Sequence, residues 1–302
     1  MHLKCFDQII WLYGIGREIP QLHNTKLSFF KDRHILMTIT VSILVPSGIV
    51  LAADSRQVTE TRVSQLRIDS DNAQKIIQLS PRLAVILNGQ GTFYSNRSES
   101  PQAIGDILRV AAIHLPKNST VKNSSVFLHQ TATDVLKTHL SVTKLEQASV
   151  SFYVAGYSPT KNIGELYRCN VPGEIALERR TDDAGAVWNG ERAIVNRLIQ
   201  GYDPKLFESL APIIGEEQSE KLGPILRGLQ LYINFQTMPL QDAADLAALL
   251  VGTTIKLLRF SDGLVGAPGQ FPTCGGAINI AAITQAEGFR WLRHKSLEVR
   301  GG

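Results

Sequence analysis

The sequence predicts an α+β domain: a four-layer αββα sandwich of two antiparallel sheets, face to face, with helices outside. Two observations predict it. Element types come in blocks along the chain, strands, two helices, strands, helices, strands, and paired strand blocks alternating with helix blocks suit stacked sheets under helical layers. The strand blocks are short, β-branched and apolar, and turn residues divide them into hairpins. With 302 residues, 44% of them hydrophobic, the chain is long enough to bury such a core.

Residues 1–36 mix aromatics, Gly, Pro, His and Lys with no periodicity, and the pattern starts at Met37. Residues 38–44 alternate and are rich in β-branched residues. Pro46-Ser47-Gly48 supplies turn chemistry, and 49–53 is an apolar strand ending at Asp54, which makes a hairpin. Residues 55–74 are polar and fit a loop or a ragged strand pair. A second pair follows at 75–79 and 83–87, closed by Asn88-Gly89-Gln90-Gly91, residues that tolerate unusual backbone angles. Apolar spacing at Ile104, Ile107, Leu108, Ala111, Ala112 and Leu115 predicts a helix over 101–115. A polar linker at 117–124 and a second helix over 126–140 come next. Strands are expected at 149–157, 164–169 and 174–179, with a short apolar run at 186–188 and a turn at Asn189-Gly190. Helices are expected at 191–200, twice within 203–234, and over 239–258, where Asp242 and Asp245 lead and Lys256 and Arg259 close, matching the helix dipole. A Gly/Pro-rich loop at 261–273 precedes closing strands at 276–284 and 289–292. The domain division is therefore a leader, propeptide or mis-assigned start at 1–37, and one domain over 38–302 carrying a helical insertion at about 203–234.

Composition excludes several functions. A formal charge of +4 from 31 basic and 27 acidic residues is too weak and scattered for a nucleic-acid partner. Cys5, Cys169 and Cys274 are far apart and odd in number, so neither a disulfide framework nor a CxxC metal pair is expected, and the compartment reads as reducing, the cytoplasm. There is no apolar run long enough for a membrane helix, and Asp7 and Gln8 beside the N-terminal apolar patch argue against a secretory signal. Gly14-Ile15-Gly16 and Gly89-Gln90-Gly91 lack phosphate-loop spacing, so no nucleotide cofactor is expected, and no His or carboxylate cluster calls for a metal.

The run Thr38-Ile39-Thr40-Val41-Ser42-Ile43, followed by Gly48-Ile49-Val50-Leu51-Ala52-Ala53-Asp54-Ser55-Arg56, resembles the start of mature proteasome β-subunits, a branch of the N-terminal-nucleophile hydrolases. Asp71-Asn72-Ala73-Gln74-Lys75-Ile76 resembles that family's lysine strand, and Asn88-Gly89 its Ser-Gly turn. The resemblance implies a catalytic set of Thr38, Asp54, Lys75 and Gly89. Thr38 would be the nucleophile. As an N-terminal residue its own amine, with a pKa near ~7.7–8.0, could serve as base. Lys75 would favour the deprotonated forms of hydroxyl and amine, Asp54 would orient Lys75, and the Gly89 N–H would meet the oxyanion. The implied activity is threonine-type peptide hydrolysis through an acyl-enzyme. Implied partners are a peptide or protein substrate, further copies in rings or an open helical stack, and an ATP-driven unfoldase. Leu87 and Ile77 fall at the family's specificity pocket, which implies an apolar side chain before the cut bond.

Taken singly, each residue has an ordinary reading: a strand threonine, a turn aspartate, a solvated lysine, a turn glycine. Their joint spacing favours the set. The chain also departs from the pattern. Phe271-Pro272-Thr273-Cys274-Gly275 stands where the family has Asp-x-x-Ser-Gly, and Trp188-Asn189-Gly190 where it has Gly-Ser-Gly, so Thr273, Cys274 or Asn189 would have to orient the amine. Cys274 as an independent nucleophile is disfavoured, since no His is convincingly placed near it. The mechanism needs Thr38 to come first. Self-cleavage would suit Gly at position 37, which is Met here, so initiation at Met37 and loss of that methionine is the expected route. Two other functions remain open: a non-catalytic scaffold like proteasome α-type subunits, and an amidohydrolase acting on a small amide. Residues 203–234 fit either an outer decoration or a docking surface.

Overall fold

A computed structural model describes residues 38–60, 66–89, 91–94, 101–141, 150–264, 267–269 and 271–295. The leader expected at 1–37 lies outside the described residues, as does Gln90. Residues 36–302 form one compact unit.

The expected hairpin is β1 (Ile39–Val45) and β2 (Gly48–Ala53), paired antiparallel with Val45 opposite Gly48. Every residue of both strands is buried. Their β-branched side chains suit strands packed on both faces. The ragged pair expected after Arg56 is β3 (Gln57–Glu60) with β4 (Leu66–Ser70). Then come β5 (Ile76–Ser80) and β6 (Leu83–Gly89). A small hairpin, β7 (Thr92–Tyr94) with β8 (Pro101–Ala103), delays the first helix, so α1 is Ile104–Ile113. The second helix, α2 (Val121–His139), takes up part of the expected linker. Thr120 caps it by accepting from Asn123 N, and Ser125 bonds back to the Val121 carbonyl, so these hydroxyls work inside or at the start of the helix.

Strands β9 (Val150–Tyr157), β10 (Gly164–Val171), β11 (Ile175–Arg180) and β12 (Gly185–Gly190) follow. Asn189-Gly190, expected to turn, instead ends β12 and pairs with β1. Helix α3 is Arg192–Ile199 and α5 is Leu240–Phe260. Between them α4 (Lys205–Arg227) is two helical stretches that meet at a kink at Gly215, where φ is +76, in line with the two helices expected there. The loop after α5 holds a minimal ladder, β13 (Gly263–Leu264) with β14 (Ala267–Pro268). The chain closes with β15 (Asn279–Thr284) and β16 (Gly288–Arg293).

The principal sheets have five strands each, in the orders β12-β1-β2-β15-β16 and β11-β10-β9-β6-β5, antiparallel throughout. The fold is thus α+β, built on two antiparallel sheets. Alternate residues of β1 serve different neighbours, as the period of a strand dictates. Ile39, Val41 and Ile43 cluster with Ala243, Ala247 and Val251 of α5. Leu44, Leu51 and Ala53 cluster with Ile76, Ile86 and Tyr153 of the other sheet. That sheet's remaining face, with Val85, Phe152 and Val154, packs on Leu108 and Leu128 of α1 and α2. Among the described residues, no helix is long and apolar enough to cross a membrane.

Candidate active site

Thr38, Asp54 and Lys75 come together where β1 begins, β2 ends and β5 begins. Asp54 is 0% exposed. Its Oδ1 accepts from Thr38 Oγ1 at 2.8 Å, from Ile39 N at 3.1 Å and from Lys75 Nζ at 2.6 Å. Its Oδ2 accepts from Arg56 N at 3.2 Å and Gly275 N at 3.0 Å. Five donors on two oxygens define an acceptor-only group, the role of an ionised carboxylate. Burial of the Lys75–Asp54 pair carries a desolvation cost, and the extra hydrogen bonds are what offset it. Because the Thr38 hydroxyl and the Lys75 ammonium share one oxygen, their separation cannot exceed the two legs of 2.8 and 2.6 Å laid end to end.

Each partner is fixed by backbone. Lys75 is tied to β6 by its carbonyl, which accepts from Leu87 N at 2.8 Å. Thr38 is 2% exposed, and its carbonyl accepts from Glu191 N at 2.8 Å. Gly190 lies opposite Ile39 with φ +86, and a Cβ there would stand 1.9 Å from the Thr38 carbonyl oxygen, so the close approach requires glycine. The turn Ser55-Arg56 is latched to the lead-in to Lys75. Arg56 grips Asp71 through Nε at 2.7 Å and Nη2 at 3.0 Å, and Ser55 Oγ donates to the Asp71 carbonyl at 2.7 Å. The Arg56 hydrogen bond holds the Asp71 carboxyl below its usual range. Arg56 Nη1 also reaches the Pro272 carbonyl at 3.1 Å, securing the segment that delivers Gly275.

Gly89 is the last residue of β6, opposite Val150, with φ +69. Its tie to the cluster is indirect: Thr40 Oγ1 donates to Asn88 Oδ1, joining the two sheets two residues from Thr38 and one from Gly89. The other amide atom of Asn88, Nδ2, is buried without a partner among the described residues, a condition that typically costs ~1–3 kcal/mol.

At the departures from the expected pattern, Phe271 is half-buried and Cys274 fully buried. Burial, then the Asp54 charge, push the Cys274 thiol well above its ordinary range, so it is a neutral thiol and not a nucleophile. Thr273 Oγ1 lies 4.0 Å from Cys274 Sγ. Asn189 is committed elsewhere: Nδ2 donates to Tyr153 Oη at 3.3 Å and Oδ1 accepts from Gly190 N at 2.7 Å. The Tyr153 hydroxyl is itself pushed up to about 12 by burial. Ile77 and Leu87 pack beneath the start of α1, their Cδ1 atoms 3.2 and 3.3 Å from where a Cβ on Gly105 would sit. No group of His, Cys, Asp and Glu among the described residues is arranged to hold a metal.

Sequence reasoning missed the roles of Arg56, Asp71, Asn88, Glu191 and Gly275. Only the first two carried a signal, opposite charges inside the two quoted runs.

No family model matches the chain, and no curated protein matches it. Among solved structures it is similar to a chain of the Anbu complex from Pseudomonas aeruginosa, solved as a helical assembly, with a TM-score of 0.52 and 15% identity over 86% of this chain and 88% of that one. At that identity the likeness shows the fold. It corrects the assignment drawn from residues 38–91: the chain shares a fold with an Anbu chain, and membership of the proteasome β-subunits or of the N-terminal-nucleophile hydrolases is withdrawn as a family statement. The physical reason is that the matching run is short, a hairpin and one further strand. Its alternation is what any buried strand pair needs, while the positions around 271–274 and 188–189 differ.

Proposed function

We propose that Thr38, once it is the first residue, is the nucleophile of a threonine-type amide hydrolase acting on peptides. The observation that carries this is the shared Asp54 oxygen, which accepts from the Thr38 hydroxyl and from the Lys75 ammonium inside a buried site. Asp54 orients both donors. The Lys75 cation favours loss of the hydroxyl proton. A free Thr38 amine takes that proton and returns it to the leaving amine, so the peptide acyl group passes to Thr38 Oγ1 as an ester that water then hydrolyses. The Gly89 N–H is assigned to the developing oxyanion, a contact typically worth ~3–4 kcal/mol of barrier. Initiation at Met37 and loss of that methionine supplies the amine. We read the two sheets and their helices as a four-layer αββα sandwich, and the likeness to a chain from a helical assembly supports self-association, with an unfoldase partner a separate matter.

Fluorogenic peptide amides, given to protein whose intact mass begins at Thr38, test this. The expected result is turnover that Thr38→Ala abolishes. Equal turnover by Thr38→Ala, or activity confined to material that keeps residues 1–37, sinks it. One observation favours a non-catalytic scaffold of the same fold: Phe271 and the neutral Cys274 stand where polar groups would orient the amine. Assembly without turnover on any peptide or small amide would support that reading.

A further inference from the structure

Glu191 follows Gly190 at the end of β12 and sits at the start of α3. Its N–H donates to the Thr38 carbonyl at 2.8 Å, and the ladder that sets Ile39 opposite Gly190 brings Glu191 opposite Thr38 at its next step. Residues opposite each other in an antiparallel pair are near neighbours. Glu191 is 9% exposed, yet it makes no capping bond to α3, and no hydrogen bond or ion pair reaches its carboxylate among the described residues. Burial raises its carboxyl from the usual range, with Lys205 and Arg197 opposing and Asp203 assisting. The Cys274 thiol, beside the Thr38 site, feels Asp54, Lys75 and Glu191 together.

A carboxylate largely withdrawn from water with no protein partner among the described residues is a costly group, and Glu191 stands across the ladder from the residue whose amine the proposed function needs. We infer that Glu191 is the carboxylate that receives the α-amine of Thr38 when the residues before it are removed, serving in place of the acid absent at Phe271. The inference rests on the reading that Thr38 becomes the first residue. It makes Glu191 a positioning residue, aiming the amine at Thr38 Oγ1. The charges on the amine are then opposed: Glu191 raises its pKa, while Lys75 on the Asp54 side lowers it.

Two measurements decide the matter, both on the full chain and on protein beginning at Thr38, which keeps all but the first two residues of the compact unit. The first is the melting temperature of Glu191→Gln. Without an amine partner the substitution relieves a buried charge and raises Tm, whereas in protein beginning at Thr38 it breaks a pair and lowers Tm. A change of the same sign in both forms overturns the inference. Glu191→Asp, which keeps the charge, covers the case in which the glutamine variant does not fold, and is expected to follow wild type in both forms. Opposite behaviour of Glu191→Asp in either form counts against it. The second is the acid limb of kcat/KM against pH for a peptide amide. It is expected to move down by about one pH unit in Glu191→Gln and to stay in Glu191→Asp. An unmoved limb in Glu191→Gln, with Thr38→Ala inactive, overturns this inference and leaves the proposed function standing. If wild type hydrolyses nothing, the proposed function falls, and the melting comparison still decides Glu191.

Discussion

The hairpin of β1 and β2 and the helix α4 are both rich in apolar residues, yet the fold treats them oppositely. The hairpin is buried along its whole length, with α5 on one face and the second sheet on the other. Helix α4, kinked at Gly215 and carrying Pro212 and Pro224, leaves Ile213 78% exposed, and beyond it Tyr232 is 90% exposed. Apolar content therefore does not locate the core; what matters is whether a neighbour covers each face. The cluster of Thr38, Asp54 and Lys75 is built into the covered region, so its geometry is anchored by packing that the insertion does not share.

Breaking the covered region at its polar centre should cost most. Asp54→Ala leaves Lys75 and four other donors without their acceptor, and a loss of about 3–5 kcal/mol is expected in denaturant unfolding. Ile43→Ala, a cavity between β1 and α5, should cost about 2–5 kcal/mol by the same measurement. The pH dependence of full-chain stability sharpens the contrast, because two acids at the site tilt it in opposite senses. Asp71 has a folded pKa below its ordinary 3.8, so its contribution is present above that pH and is lost as pH falls through the folded value. Glu191 has a folded pKa above its ordinary 4.5, so its contribution is full below that pH and is lost as pH rises through the folded value. Arg56→Ala should flatten the first slope and Glu191→Gln the second in thermal melts run across the acid range. The smallest effect belongs to the insertion: Ile213→Ser should change stability by no more than about 0.5 kcal/mol. A cost equal to that of Ile43→Ala would show that α4 is covered after all.

Much of the fold was legible because its strands carry period-two patterning between turn residues, and Thr38, Asp54 and Lys75 stood out through the resemblance of the runs that hold them and their joint spacing. Other features had no sequence signal. The serines at 124 and 125 look like linker, though a threonine cap and a back-bonded hydroxyl place them in α2. Asn189-Gly190 looks like a turn, because glycine marks a turn and a close backbone approach equally. Three of the Asp54 donors, Ile39 N, Arg56 N and Gly275 N, are main-chain groups, which residue identity cannot announce. Glu191 and Asn88 acquire meaning only when β12 and β6 meet β1, contacts set by the whole topology.

Cys274 bears on how the site can be probed. A sealed, protonated sulfur within the field of Asp54 and Lys75 lets electrophiles sort themselves. Reagents chosen for thiolates should pass it by in the native state and modify it only once the chain opens. On the proposed function, hydroxyl-directed warheads would then label Thr38 without competition from Cys274.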